Sequence, residues 1–223
     1  LFSLFAGNNS VSFSGLDIRA IMSHLSSSDN PSHSTNEQHH ARFTEMSKLF
    51  GALPRSLSAS HGILLSDKFH FDITRPGIAL YGYNDNPVVE FGCKPILKWT
   101  APILQIRSIS SGEQIGYGAD FTARTPMRIA TIGAGYADGY QRSLQTIGKI
   151  SFAGYICNIV GRISMDSLVI DVSKIPDKVL VKTSKVWLLG AHYTASDMAS
   201  DLSTISYEIL TSLGTRPKRI YEK

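Results

Sequence analysis

The sequence FDITRPGIALYG, residues 71–82, places a short strand-forming run directly before an arginine, a proline and a glycine. Upstream, two comparable apolar runs, Ile18–Leu25 and Ser56–Ser60, each lead into a loop. Between them, Ser34 and Glu37 form a capping-box pattern that predicts the start of a helix. Strand, loop, helix and strand in this order predict parallel βα units, with a third strand at Phe71–Thr74.

The pattern changes near residue 95, where short strands separated by turns rich in Gly, Ser and Pro begin to dominate. Two helices end the chain: the first is capped by Thr194, with Asp197 three residues later, and the second covers about Thr204–Leu213. We therefore predict an α/β domain at 1–95 and a β-rich domain at 96–223. The predicted strands of the second domain are Trp99–Ile106, Met127–Ile132, Lys149–Phe152, Ser167–Val172 and Lys185–Leu189.

Composition excludes several classes of protein. The chain has 223 residues, 43% of them hydrophobic, which is enough for a buried core, yet its apolar runs are too short to cross a bilayer. The net charge of +4 comes from scattered Lys and Arg, so we expect no nucleic-acid partner. Cys93 and Cys157 lack neighbours at metal-ligand spacing, which predicts reduced thiols, no metal and a cytoplasmic location. The start lacks a basic n-region and an initiating Met, and we expect residues to precede it.

Three glycine-rich or charged stretches in the second domain are candidates for chemistry. Tyr117 lies between two glycines, and Tyr136 lies in the sequence GYADG. Glycine allows close backbone approach and leaves a phenol accessible, although a turn with a packed tyrosine would have the same pattern. In the sequence VGRISMD, Arg162 and Asp166 interrupt an apolar run, and a structural interpretation is a local pair between them.

The first domain has a comparable set of polar residues at strand ends. Arg75, followed by Pro and Gly, suits contact with an anion or a ring nitrogen, and the N–H groups after it suit a phosphate. The alternative is a salt-bridged turn. His24 and Ser60 also follow predicted strands, where a structural histidine and a helix cap are equally compatible with the sequence.

In their order along the chain, these stretches resemble the alanine racemases from about residue 15 to the end. The resemblance implies a partial (β/α)8 barrel followed by a β-rich carboxy-terminal domain. It also implies pyridoxal 5'-phosphate as cofactor, interconversion of L-alanine and D-alanine, and supply of D-alanine to cell-wall peptidoglycan. The matching stretches are IMSHL (21–25), SLSASHGI (56–63), RPGIALYG (75–82), GYG (116–118), GYADG (135–139), GRISMD (161–166) and YEIL (207–210).

The resemblance also implies roles for individual residues. Tyr117 matches the catalytic tyrosine base, which contacts His24, which in turn contacts Arg75; Arg75 faces the ring nitrogen of the cofactor. Since a free phenol titrates at about pH 10, such neighbours are needed for it to act near neutral pH. The phosphate is bound by Ser60 and by the backbone N–H groups of Gly77 and Ile78.

Further roles concern the substrate and the assembly. Met165 offers its backbone N–H to the substrate carboxylate, and Tyr136 lines the substrate pocket. In the family, the active site is shared between the two subunits of a homodimer, with the tyrosine reaching the partner's cofactor. No membrane or metal is expected.

The sequence also departs from the family pattern. The lysine that binds the cofactor belongs to an upstream segment without a counterpart here, and Ala59 replaces a common Asn. Thr215 stands where some members have a tyrosine. Two alternatives therefore stay open beside alanine racemase: a racemase of broad specificity, and an inactive truncated pseudoenzyme that only pairs with a partner chain.

Overall fold

The computed structural model describes residues 15–84 and 92–222, which divide into two compact units, 1–94 and 95–223. The predictions for the amino terminus concern residues 1–14 and lie outside the described part. Within the described residues, no helix is both long and apolar enough to cross a membrane. Each unit is described separately below.

Unit 1 is built around two parallel strands and two helices. Strand β1 (Ile21–Met22) pairs with β2 (Arg55–Ser56), and between them helix α1 covers Thr35–Ser47. Helix α2 (Ser60–Leu65) starts four residues after β2. The predicted parallel βα arrangement is thus present, but its strands are shorter than the sequence suggested. The core of the unit is apolar and consists of Leu25, Phe43, Leu57 and Phe69, with Ile21, Leu65 and Phe71 packed against it.

Two local predictions for unit 1 are wrong. Phe71–Thr74 is not a strand: it has one isolated bridge from Phe71 to Ser56, and the Asp72 carboxylate accepts a hydrogen bond from the Arg55 backbone N–H, which prevents a regular ladder. The capping box at Ser34 is also absent. Ser34 adopts helical dihedrals and its side chain makes no capping hydrogen bond, because the turn before it already leads into the helix.

Unit 2 is built on a six-stranded antiparallel sheet. Its strands are β3 (Trp99–Ile109), β6 (Met127–Ile132), β7 (Lys149–Phe152), β8 (Tyr155–Asn158), β9 (Leu168–Asp171) and β10 (Lys185–Leu189). They lie in the order β8-β7-β10-β3-β6-β9. A bridge between Ile159, just after β8, and Ile170 in β9 joins the two outer strands, so the sheet nearly closes on itself and few edges stay unpaired.

The five strands predicted for the second domain are all present, and three have the predicted bounds. A small hairpin of β4 (Gln114–Ile115) and β5 (Phe121–Thr122) was not predicted; it is too short to leave a periodic signal. The hairpin packs on the sheet through an apolar cluster. That cluster consists of Ile109, Ile115, Ala123, Ile129 and Val160, with Phe121, Met127 and Val169 at its margin.

Three helices follow in unit 2: α3 (Asp177–Leu180), α4 (Ala195–Asp201) and α5 (Ser206–Ser212). The capping box predicted for α4 is formed, since the Asp197 N–H donates to Thr194 Oγ1 at 3.2 Å and the Thr194 N–H donates to the Asp197 carboxylate at 2.8 Å. Both cysteines are free thiols. Burial, and secondarily the charge of Asp171, raises the pKa of Cys157 to about 12, so this thiol stays protonated and inert.

The two predicted caps provide a matched pair for a stability test. We expect Thr194→Ala to lower the free energy of unfolding by about 1 kcal/mol, because it leaves helix N–H groups without an acceptor. Ser34→Ala removes a hydroxyl that caps nothing, and we expect almost no change. Urea denaturation followed by circular dichroism measures both, and equal losses in the two variants would contradict the assignment.

Candidate active site

In unit 1, Arg75 is the centre of a hydrogen-bond network at the ends of the two parallel strands. Its guanidinium donates to Ser56 Oγ at 2.5 Å and to the Ser23 carbonyl at 2.9 Å, and it lies 3.2 Å from His24 Nδ1. Arginine has no acceptor, so Nδ1 must accept, and the neutral imidazole then carries its hydrogen on Nε2. The interpretation of Arg75 as part of a salt-bridged turn is therefore wrong: its partners are neutral.

Ser60, the first residue of α2, is 2% exposed. Its Oγ accepts hydrogen bonds from two backbone N–H groups, those of Gly77 at 2.9 Å and Ala79 at 3.2 Å. Between them, no described residue accepts the N–H of Ile78, which begins a short 3-10 helix. The Gly77 and Ala79 N–H groups thus converge on the Ser60 oxygen, and the Ile78 N–H beside them is available to an anion such as a phosphate.

In unit 2, the Gly-Tyr-Gly segment is held against the segment that contains Arg162. The Arg162 guanidinium forms a bidentate ion pair with Asp120, with Nη2 at 2.8 Å from Oδ1. A Cβ added at Gly118 would lie 3.1 Å from this guanidinium. Tyr117 itself is 74% exposed. Arg162 thus pairs with Asp120, and the local Arg162–Asp166 pair considered from the sequence does not form.

Tyr136 and Met165 lie on two loops that are in direct backbone contact. The Tyr136 N–H donates to the Ser164 carbonyl, and the Ala137 N–H donates to the Met165 carbonyl, both at 3.1 Å. No described residue accepts the Met165 N–H, and the side chains of Tyr136 and Met165 are 43% and 53% exposed. Unit 2 therefore presents a phenol and an available N–H side by side.

Glycine makes this contact possible. A Cβ added at Gly135 would lie 2.2 Å from the Ser164 carbonyl oxygen, far closer than any real contact allows. At the other end of the loop, Gly139 has a φ of +102°, and a Cβ there would lie 2.6 Å from the Ser212 carbonyl oxygen. The glycines of GYADG are thus required on both sides of Tyr136.

Sequence reasoning missed two residues of this region. Asp120 follows the Gly-Tyr-Gly motif and fixes Arg162, while Arg216 contacts the carboxylates of both Asp138 and Asp166. Arg216 belongs to the basic cluster 216–219, which resembles ordinary surface. The acidic residue in each of the motifs GYADG and GRISMD was a signal that a cation is needed nearby.

The described residues contain no group of three or more His, Cys, Asp or Glu that could hold a metal ion. The residues predicted for the site fall into two sets. His24, Ser60, Arg75, Gly77 and Ile78 come together in unit 1, and Tyr117, Tyr136 and Met165 lie on loops of unit 2.

Comparison with known proteins now identifies the family. The family model for the carboxy-terminal domain of alanine racemase matches residues 96–221, and that for the amino-terminal domain matches residues 9–85. The chain belongs to the alanine racemase family. The predicted family and the predicted fold class, a partial barrel followed by a β-rich domain, are confirmed.

Individual alanine racemases match most of the chain. The catabolic alanine racemase of Agrobacterium fabrum is 41% identical over 207 residues, which are 93% of this chain and 53% of the relative. The alanine racemase of Brucella ovis is 39% identical, and the match covers 93% of this chain and 56% of the relative. The chain thus spans about half the length of the curated alanine racemases it matches.

Solved structures of alanine racemases match in the same way. That of the Bartonella henselae alanine racemase with covalently bound pyridoxal phosphate has a TM-score of 0.85 at 39% identity, covering 92% of this chain and 57% of that one. That of the biosynthetic alanine racemase of Pseudomonas aeruginosa has a TM-score of 0.80 at 33% identity, covering 91% and 56%.

The glycine contact yields a direct test. We expect Gly135→Ala to lower the free energy of unfolding by about 1–3 kcal/mol, the usual cost of overpacking, because its methyl group overlaps the Ser164 carbonyl. Gly214→Ala is the matched control, since a Cβ there meets nothing within 4 Å. Urea denaturation measures both, and a Gly135 variant as stable as the control would refute the close approach.

Proposed function

We propose that this chain takes part in the pyridoxal-phosphate-dependent interconversion of L-alanine and D-alanine. The observation that carries the proposal is the hydrogen bond from Arg75 to His24 Nδ1, 3.2 Å long, in a member of the alanine racemase family. It joins the permanently charged Arg75 to the imidazole of His24. The other ring nitrogen of His24, Nε2, can then donate its hydrogen to a third group. A purely structural turn does not require this contact between a guanidinium and an imidazole.

The residues of unit 1 fit the cofactor. The Ile78 N–H and the Ser60 hydroxyl provide donors for its phosphate. The Gly77 N–H, which the resemblance also assigns to the phosphate, donates to Ser60 Oγ in this structure and has to exchange that acceptor for the phosphate. Arg75 supplies donors for the ring nitrogen and, being permanently protonated, keeps that nitrogen free of a proton. When bound, the cofactor supplies a carbonyl group that holds the substrate amine and a conjugated ring that accepts the electron pair left at Cα.

Racemisation needs a proton removed from one face of Cα and another delivered to the opposite face. We infer that Tyr117 is the acid–base group on one face. We infer that, in the dimer proposed below, the His24 Nε2–H of the subunit that holds the cofactor donates to the Tyr117 oxygen of the other subunit, and that Arg75 holds the imidazole in the tautomer that makes this donation. The second base of the family is the cofactor lysine, which we expect in a segment upstream of the matched stretches.

The substrate carboxylate is assigned to the Met165 backbone N–H, with Tyr136 beside it as the wall of the pocket. Two observations support these roles: the Met165 N–H has no acceptor among the described residues, and two hydrogen bonds of 3.1 Å fix the Tyr136 loop to the Met165 turn. Pre-positioned donors of this kind orient a substrate without reorganising when it binds.

We propose a cytoplasmic homodimer in which Tyr117 acts at the partner's cofactor. Its 74% exposure supports this, since a proton-transferring phenol has to be enclosed by another surface during the reaction.

The proposed substrate is alanine. The relatives are named alanine racemases, which favours alanine over larger amino acids. The proposed physiological role is D-alanine supply for peptidoglycan; the Agrobacterium fabrum relative is named a catabolic alanine racemase.

The proposed base is tested by Tyr117→Phe in a full-length protein that carries this chain. Solvent-deuterium exchange at Cα of L-alanine is expected to fall at least ~100-fold, since general-base catalysis contributes that much. Binding of the cofactor should be unchanged. Tyr155→Phe is the control, because Tyr155 is also exposed, at 42%, but lies on β8. Exchange at the wild-type rate in the Tyr117 variant would remove this residue from the mechanism.

The proposed phosphate site is tested by Ser60→Ala in the same protein. Loss of the hydroxyl should weaken cofactor binding by about tenfold, equivalent to one hydrogen bond to a charged group at ~1.5 kcal/mol. Ser66→Ala, an exposed serine just after α2, is the control. Cofactor fluorescence titration measures both affinities, and equal affinities in the two variants would place the phosphate elsewhere.

A further inference from the structure

Arg216 follows the last helix of unit 2 and extends its guanidinium between two carboxylates. Nη2 lies 2.7 Å from Asp166 Oδ1, and Nε lies 3.5 Å from Asp138 Oδ1. The hydrogen bond to Asp166, together with the charge of Asp138, raises the pKa of Arg216. The two carboxylates belong to the two loops that carry Tyr136 and Met165.

Asp138 is well fixed within its own loop. Its side chain is only 17% exposed, and its Oδ2 accepts the Gly135 N–H at 2.9 Å while Oδ1 faces Arg216. A displacement of Arg216 would therefore move Asp138 and, through the hydrogen bond to Asp138, the Gly135 backbone. These two residues lie on either side of Tyr136.

Asp166 directly follows Met165 in a tight turn. The turn is closed by the Ser164 N–H donating to the Ser167 carbonyl at 2.9 Å, and by the Ser164 hydroxyl donating to the same carbonyl at 2.7 Å. The Asp166 side chain is 63% exposed and makes its hydrogen bond to Arg216. The turn is thus fixed at its base by Ser164 and at its tip by Arg216.

We propose that Arg216 is a positioning residue that fixes the Tyr136 loop and the Met165 turn relative to each other, and so sets the geometry of the substrate-carboxylate site. The inference rests on the proposed function of these two loops. Guanidinium is planar and carries its donors at fixed angles, so it can hold two carboxylates at a defined separation. An ammonium group is a point charge and cannot impose that geometry.

The expected effects on stability and on substrate use distinguish this role from a purely structural one. Arg216 is half exposed, and ion pairs of that kind contribute little to stability. Small misplacement of groups that orient a substrate has a much larger effect on binding and rate. We therefore expect Arg216 substitutions to affect substrate use strongly and unfolding weakly.

The first experiment uses hydrogen–deuterium exchange on the chain itself, in Arg216→Gln, Arg216→Lys and the control Arg219→Gln. Arg219 lies three residues further on, and among the described residues its guanidinium donates only to the Leu213 carbonyl, at 3.3 Å. We expect faster exchange in segments 133–139 and 163–167 for Arg216→Gln, an intermediate effect for Arg216→Lys, and none for Arg219→Gln.

The second experiment measures racemisation in a full-length protein that carries the chain. For Arg216→Gln, the KM for alanine should rise about tenfold with a smaller change in kcat, as expected for a lost orienting contact, and Arg216→Lys should restore part of it. An unchanged KM with active wild-type enzyme would overturn the inference even if the racemase function stands.

The two experiments also distinguish the failure of either proposal. If the wild-type protein does not racemise alanine, the proposed function fails, and the exchange data alone decide on Arg216. Faster exchange confined to the two loops then supports the coupling, and unchanged exchange overturns it. Equal effects of Arg216→Gln and Arg219→Gln overturn it as well, because they indicate a general loss of charge.

Discussion

At the contact between Gly135 and the Ser164 carbonyl, two backbone segments approach so closely that an added Cβ would lie 2.2 Å from the oxygen. Because of that approach, the Tyr136 and Ala137 N–H groups reach the Ser164 and Met165 carbonyls. Both carbonyls thereby accept hydrogen bonds, while no described residue accepts the Met165 N–H. The remaining features of the region, including the Gly139 contact with α5 and the ion pairs of Arg216, add to a geometry that this glycine permits.

How far the sequence predicted the fold depended on the length of each element. Five of the six strands of the main sheet were predicted, and Met127–Ile132 and Lys149–Phe152 have the predicted bounds, whereas β8 (Tyr155–Asn158) was not predicted. Unit 1 was harder, because its strands have two residues and a side chain decides the outcome at one point: the Asp72 carboxylate bonds the Arg55 backbone where a third strand was expected. The capping box at Thr194 forms and the one at Ser34 does not, although both have the same spacing; only the dihedral angles at the cap residue distinguish them.

The sequence predicted which residues form the candidate site, but only some of the contacts that they make. Arg75 with His24, and Ser60 with Gly77, come together as the family resemblance implies, but their catalytic roles stay predictions. The partner of Arg162 considered from the sequence, Asp166, was wrong. The actual partner, Asp120, is distant in sequence and is brought near by the β4–β5 hairpin, which is too short to predict. Arg216 was missed for the same reason: its importance follows from the fold bringing Asp138 and Asp166 together, 28 residues apart in the sequence.

The two units contribute groups of opposite character to the proposed reaction. Unit 1 supplies donors: the Ile78 N–H, the buried Ser60 hydroxyl and the Arg75 guanidinium, whose partners are neutral. In unit 2 the cations Arg162 and Arg216 are already neutralised by Asp120, Asp138 and Asp166. Tyr117 and Tyr136 are exposed in unit 2, and the Tyr136 loop contacts the Met165 turn, whose Met165 N–H no described residue accepts. Because Arg162 and Arg216 are paired with carboxylates of the same unit, they fix the loops that carry the proposed groups without adding net positive charge there.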